Sequence, residues 1–453
     1  MNNKKSVLGL DLGTSSVKVL QLFEDGNIIK EKEPYESISP KGWWKAISNV
    51  LDRMELESVV AIGLSSQVGT YIVDEEIVIP WDSDIGYIEL ADLKKRYSIS
   101  EFVQEISMPH PNIASYPMPR LRYIKNVYPD AKRICQPKDY ICEKLTGNYV
   151  TDPYSWRGLA HLEKKQYSTY FLQELGIDEI VLPKMMDYKE VAGYTKEGIP
   201  VYVGLNDYYA SLLGMGIQTS GDMFDITGTS EHLGVIQSEM SFDTELVCGP
   251  YLKDNVHYGV TASSGASLNF GLQLSDGEKI TLEAMSEKNP PIFLPYLNGE
   301  RAPIWDGNAK GMFFGISGDC TKDELTYSVL EGVAFSVYHI YESMGKPAAI
   351  GMKVAGGAAV NNLLNQIKAE VFEIPVFVLE ETDTSALGAA ILAAVGIGFF
   401  DGLEDAIEKR CNIDKTFTPT GKYTDWLHKR FELYKELYPA VKTQYEKFRR
   451  MEK

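Results

Sequence analysis

Short apolar runs separated by polar turns dominate the start of the chain. Residues 7–12, 17–22 and 28–29 read as a β-meander, with Gly13-Thr14-Ser15-Ser16 as the turn between the first two runs. From Trp43 to Met54 the apolar spacing becomes helical, and 59–65 and 70–73 return to strand around the polar Ser65-Ser66-Gln67. The stretch 115–128 predicts a helix after Pro119. Pro137-Lys138-Asp139 opens another, which Gly147 ends. A strand over 201–205 is followed by a helix over 208–215, which the run 216–221 breaks. Strands alternating with helices predict an α/β class.

The second half repeats the scheme. Met223-Phe224-Asp225-Ile226 runs into Thr227-Gly228-Thr229-Ser230, and 233–236 returns as strand. Strands follow at 353–355 and 375–378. Helices are expected through 367–371 and at Ser385-Ala386-Leu387-Gly388-Ala389-Ala390, and from 402 to 453 a charged amphipathic pattern predicts a helical end. The expected domains are 1–216 and 217–453.

Length agrees with two domains, because 453 residues exceed one ordinary core. A hydrophobic fraction of 44% with 24% charged residues is that of a soluble globular protein. The net charge of -18 disfavours nonspecific binding to nucleic acid or anionic membrane. Met1 to Lys5 lead into a strand rather than an apolar run with a cleavage site, and no stretch approaches the roughly 20 apolar residues of a membrane span. The five cysteines are scattered, odd in number and without CxxC spacing, so reduced thiols in a cytoplasmic protein are expected.

The two Gly-Thr-Ser turns are the first candidate chemistry. A tight turn between strands presents backbone N–H groups and hydroxyls at one point, which suits a phosphate. The copies differ. Asp11 lies two residues before Gly13, whereas Asp225 lies three before Gly228. Strand alternation then turns the two acids to opposite faces, and Ile226 is the counterpart of Asp11. Only the first copy offers a carboxylate for Mg²⁺, which prefers oxygen ligands. A second constellation is Asp207, where a strand hands over to a helix. It suits a general base and equally suits a helix N-cap. A third is Gly356-Gly357-Ala358 with Asn361, before a helix, where backbone can approach a ligand or simply turn. His232 reads as structural, Trp43 and Trp44 as core and rim, and Glu300-Arg301-Ala302-Pro303 as a loop bracing a domain contact.

The ordered set resembles the FGGY family of carbohydrate kinases, of the xylulokinase type, within the actin-like, sugar kinase and heat-shock ATPase superfamily. Its parts are Gly9-Leu10-Asp11-Leu12-Gly13-Thr14-Ser15-Ser16-Val17-Lys18, Ile62-Gly63-Leu64-Ser65-Ser66-Gln67, Trp81-Asp82, Pro137-Lys138-Asp139-Tyr140, Leu145-Thr146-Gly147, Thr151-Asp152, Asp207, Gly228-Thr229-Ser230, Gly299-Glu300-Arg301-Ala302-Pro303, Glu331-Gly332-Val333-Ala334-Phe335, and Gly356-Gly357 with Asn361. The resemblance implies two ribonuclease-H-like domains around a cleft, with sugar on the N-terminal side and ATP mainly on the C-terminal side. It implies Asp207 as general base, and Asp11 with Asp207 beside Mg²⁺. Gly13, Thr14, Ser15, Lys18, Gly228 and Thr229 would meet the phosphates. Gly265 and Asn269 would line the nucleotide site, with Gly356, Gly357, Ala358 and Asn361 facing the adenosine.

The sugar segment departs from the family. Xylulokinase-like members carry Met-His and glycerol kinases Arg-Glu after the Gln of this turn, whereas Gln67 is followed here by Val68-Gly69-Thr70. Tyr208-Tyr209 follow the base, and with Gln67, Val68, Gly69, Trp81 and Asp82 they would form the sugar pocket. The expectation is a kinase of a small ketose or polyol that uses ATP and Mg²⁺. The alternative is a sugar- and nucleotide-binding regulatory protein of the same fold without catalysis. The expected partners are the sugar and ATP, with neither nucleic acid nor membrane, and the sequence allows a homodimer.

Overall fold

The computed structural model describes residues 4–54, 56–177, 179–241, 246–275 and 280–451. Two compact units form. One comprises Met1–Gly216 with Asp383–Cys411, the other Ile217–Thr382 with Asn412–Lys453.

The first unit is built on strands β1 (Ser6–Leu12), β2 (Ser16–Phe23), β3 (Ile28–Pro34), β4 (Val59–Ser66), β5 (Val191–Tyr194) and β6 (Pro200–Asn206), in sheet order β5-β6-β4-β1-β2-β3. β1, β2 and β3 form the antiparallel meander, while β4 and β6 run parallel to β1. Helix α1 (Pro40–Leu51) begins with Ser39 accepting the Gly42 N–H and Pro40 in the first turn, and it buries Trp43, Ala46, Ile47 and Val50. Helix α2 (Pro137–Thr146) stops at Gly147, whose φ is 76°. The expected helix at 115–128 covers Pro117–Val127, because proline is tolerated in a first turn.

The second unit repeats the meander. Strands β7 (Met223–Thr227), β8 (His232–Gln237), β9 (Val247–Tyr251), β10 (Asp254–Val260), β11 (Met352–Gly356), β12 (Val376–Leu379) and β13 (Ile413–Phe417) take the order β9-β10-β8-β7-β11-β12-β13. Here too the first strand of the hairpin, β7, has the parallel strands β11 and then β12 beside it. Helices α4 (Ser264–Leu274), α5 (Lys322–Ser343) and α6 (Asn362–Phe372) belong to this unit, as does the terminal α8 (Thr424–Met451).

Two expectations need correction. The segment 383–411, placed with the C-terminal domain, packs on the first unit through helix α7 (Thr384–Gly396). This helix is almost wholly apolar and lies on β1 and β4. Any Cβ on Gly9 or Gly63 would meet the Ala386 or Ala389 carbonyl oxygen at 1.9 Å, so the contact is backbone against backbone. It also packs on α3 (Asp207–Gly214), where a Cβ on Gly388 would stand 1.9 Å from Ala210 O. The predicted helical end from 402 is likewise interrupted. Helix Leu403–Arg410 is followed by β13, which completes the edge of the second sheet before α8 begins. Among the described residues no helix is long and apolar enough to cross a membrane.

Candidate active site

The parallel strands of the first sheet carry polar residues to one end. Register pairs Asp11 with Ser65, Leu12 with Ser66, and Asn206 with Ser66. Side chains at the carboxyl ends of parallel strands face the place where α/β proteins bind ligands. Asp11 is buried there. The Ser65 hydroxyl donates to its Oδ1 at 2.8 Å and the Ser385 hydroxyl to its Oδ2 at 2.6 Å. Burial pushes the Asp11 carboxyl up, opposed by these two hydroxyls and by the Lys18 charge.

Asp207 opens α3, and the helix has another cap. The Asn206 side chain accepts the Tyr209 N–H at 3.1 Å, which is the capping bond. Asp207 therefore sits in the first turn with its carboxylate bonded to the Tyr208 N–H at 2.8 Å and partly exposed. Burial first, and the Asp11 carboxylate second, push its pKa up to about 8. Two carboxylates, one of which raises the other, form a donor set of hard oxygens suited to a divalent cation. Among the described residues no group of three or more acidic, histidine or cysteine side chains could hold a metal.

The glycine turn stands beside Asp11. The Gly13 N–H closes it on Ser16 O at 3.0 Å, the Tyr35 hydroxyl donates to Gly13 O at 3.1 Å, and Thr14 and Ser15 are exposed. The Lys18 ammonium pairs with Asp383 at 2.7 Å. Gln67 is tied beside the turn by its N–H to Leu12 O at 2.8 Å, whereas the Gly69 N–H bonds to Gln136 Oε1, at the start of α2, at 3.2 Å. The Trp81 indole N–H donates to Thr14 Oγ1 at 3.3 Å, which brings the Trp81 loop to the turn, while the Asp82 side chain is exposed. Val68 is half-buried between these groups in the chain.

Several residues that hold this site went unread in the sequence. Ser385 is 374 positions from Asp11, and no local pattern marks it. Fully buried Arg120 donates to Ser83 Oγ at 2.7 Å and Trp81 O at 3.1 Å, and so fixes the Trp81 loop. Arg157 donates to the Tyr209 hydroxyl at 2.6 Å and lies over the rings of Tyr116, Tyr208 and Tyr209. An isolated arginine in a loop gives no sequence signal for such a cage. Lys138, Asp139 and Asp152 prove to be scaffold: the buried Lys138 pairs with Asp152 at 2.9 Å and donates to Val203 O at 3.0 Å. Burial pushes the Asp139 carboxyl up to about 6.

The second unit gathers the other predicted residues. Gly228 and Thr229 are exposed in the turn between β7 and β8. Gly265 at the start of α4 donates its N–H to Thr229 O at 3.1 Å, and a Cβ there would meet Gly228 O at 2.5 Å. Asn269 is exposed further along α4. Gly356 pairs with Thr227 across the sheet and has φ 99°, with its Cβ position only 2.0 Å from Thr227 O. Glycine alone fits such a place. The short helical turn Gly357–Val360 follows, and Ala358 N–H bonds to Thr227 Oγ1 at 3.0 Å. Asn361 caps α6 by accepting the Leu364 N–H at 2.9 Å, and it borders a cavity of about 570 Å³ that Leu272, Leu330 and Tyr423 also line. The expected bracing role of Glu300 operates within this unit, where it accepts the Ala262 and Arg301 N–H groups. Glu331 is an anchor for α8 through Arg430 at 2.6 Å. His232 lies against the Tyr258 ring.

Comparison with known proteins shows the family and the fold. Residues 6–214 match the N-terminal domain of the FGGY family of carbohydrate kinases, and residues 224–397 match its C-terminal domain. The xylulose kinase of Staphylococcus xylosus is 26% identical over 95% of this chain and 99% of its own. The crystal structures of a gluconate kinase and of a ligand-bound xylulose kinase from Lactobacillus acidophilus each align with TM-score 0.85 and 24% identity. Each comparison covers 98% of this chain and 100% of the other, which shows a common fold. With both family domains matched in order along nearly the whole chain, this protein belongs to the FGGY family of carbohydrate kinases, a family of phosphotransferases.

Proposed function

We propose that the chain transfers the γ-phosphoryl group of ATP to a hydroxyl of a small ketose or polyol, with Asp207 as general base. The observation that carries this reading is the Asp207 carboxyl, relieved of helix capping by Asn206 and set at the strand ends beside Asp11. A carboxylate whose pKa is lifted to about 8 is a stronger base than an ordinary aspartate and is matched to accepting a hydroxyl proton. Asp11, held by two hydroxyls, keeps a fixed charge where the transferred group needs a cation. Mg²⁺, held by Asp11 and Asp207 with its remaining waters, supplies neutralisation of the phosphate charge when bound. The exposed Thr14 and Ser15 turn is assigned to the phosphates. The Gly228-Thr229 turn, Gly265 and the 356–361 turn are assigned to the nucleotide.

Gln67, Val68, Gly69, Trp81, Asp82 and Tyr208 are assigned to the sugar. Related proteins of equal likeness bear the names xylulose kinase and gluconate kinase, and the choice of substrate is assigned to this segment. The test is a coupled ADP-release screen of ketoses, polyols, aldoses and aldonates with Mg-ATP. A ketose or polyol should give the highest kcat/KM. A preference for an aldonate overturns the substrate class. No turnover with any sugar, together with sugar-induced thermal shifts, replaces the kinase with a binding protein.

A further inference from the structure

The second unit contains a charged cluster that phosphoryl transfer leaves unused. Asp225 on β7, Glu231 just after the Gly228-Thr229-Ser230 turn, and Lys368 on α6 are all fully buried. The Lys368 ammonium pairs with Asp225 Oδ2 at 2.5 Å and also with Glu231 Oε1. Among the described residues the other two oxygens, Asp225 Oδ1 and Glu231 Oε2, accept no hydrogen bond. One ammonium thus serves two carboxylates. With both ionised the cluster would carry a net negative charge in the interior, which is costly. A proton kept on the carboxylate pair removes that charge.

Its place in the fold gives the cluster a role. Asp225 and Glu231 flank the turn on its two sides. Helix α6, which carries Lys368, begins directly after the 356–361 turn. Lys368 therefore ties the flanks of one nucleotide-side turn to the helix that starts at the other. Thr227 makes a second tie, donating to Ala355 O at 3.0 Å and accepting the Ala358 N–H. The remaining charged groups nearby are Glu300 and Arg301 on the loop after Gly299. Glu300 Oε1 takes the Ala262 and Arg301 N–H groups, and its own carboxyl is pushed up by burial.

We propose that the buried, protonated Asp225, bridged to Glu231 by Lys368, is a positioning device that holds the nucleotide-side turn and releases it as pH rises. The proposal rests on the kinase reading above. Burial, then the Glu231 charge, holds the Asp225 carboxyl far above the ordinary carboxylate range, and Lys368 stays charged. Below that raised pKa the cluster is neutral and the flanks are drawn to one ammonium. Above it the proton leaves, and the two carboxylates repel one another and the phosphates of the ligand. Nucleotide affinity is therefore present at the lower pH and lost at the higher.

The experiment is calorimetric titration of the full-length protein with Mg-ADP from about pH 7.5 to about pH 9.5, where an ordinary aspartate no longer titrates. The wild-type Kd should rise about tenfold across this range, the effect of roughly one pKa unit of differential interaction. In Asp225→Asn, which keeps an acceptor for Lys368 and cannot ionise, Kd should stay within about twofold. Glu231→Gln should behave alike. A flat wild-type profile overturns the proposal, and so does an unchanged slope in a folded Asp225→Asn or Glu231→Gln. Mg-ADP binding at no pH overturns the nucleotide reading itself, and the proposal with it.

Discussion

The two glycine turns occupy equivalent places. Each joins the first and second strands of a meander, with a parallel strand beside the first. They differ by one residue in where the acid falls. Asp11 faces the strand-end side, bonded to Ser65 and Ser385. At the corresponding position the second turn has half-buried Ile226, and its acid, Asp225, lies fully buried against Lys368. Because side chains alternate along a strand, that one residue converts a carboxylate that can serve a ligand into one that serves the interior. The same repeat thus yields one acid at the strand ends and one in the core.

Four perturbations probe this division. The largest effect belongs to Asp207→Asn, which should lower kcat by about 10²–10⁴-fold while Mg-ADP still binds. Steady-state ADP release and calorimetry on one preparation separate the two, and near-normal turnover would remove Asp207 as base.

Next, Asp11→Asn should cost about 10²-fold in kcat. Asp207 must be ionised to act, and its pKa is lifted to about 8, so kcat/KM should fall as pH drops below that value. The Asp11 charge contributes to the lift, and removing it should move the acid limb to lower pH. Ile226→Ala in the other turn should leave that limb in place. Equal pH profiles for Asp11→Asn and wild type would contradict the coupling.

Third, Gly356→Ala should destabilise by roughly 1–3 kcal/mol or more, because it combines positive φ with a backbone clash. Gly357→Ala has open space and should shift denaturant stability by only about 0.5 kcal/mol. Similar losses at both would deny the 356 position its special geometry. The smallest effect is expected from Asn206→Ala, about 1 kcal/mol from the lost cap, with Asp207 and its chemistry retained.

The meanders, the two turns and the opposed faces of Asp11 and Asp225 were legible in the sequence because period-two alternation and turn residues are local signals. Asp207 was legible as a candidate and ambiguous in role. That Asn206, its neighbour, makes the cap showed only once the helix start was seen. The segment 383–411 was misplaced because its apolar helix carries no mark of which sheet it covers. β13 was missed because its five residues are mostly exposed and polar, without an alternating apolar face. Lys368 was read only as part of a helix, since nothing in a helical stretch announces a buried lysine.

Sequence by itself determined the repeated α/β scheme, the glycine turns and the spacing that separates Asp11 from Ile226, all consequences of backbone geometry over a few residues. Tertiary structure alone decided what those residues became. The hydroxyl of Ser385 reaches Asp11 across 374 positions, α7 joins the first sheet, and Lys368 meets Asp225 and Glu231 across more than a hundred. Pairing of buried polar groups depends on which surfaces meet in the folded chain, and that is a property no local pattern contains.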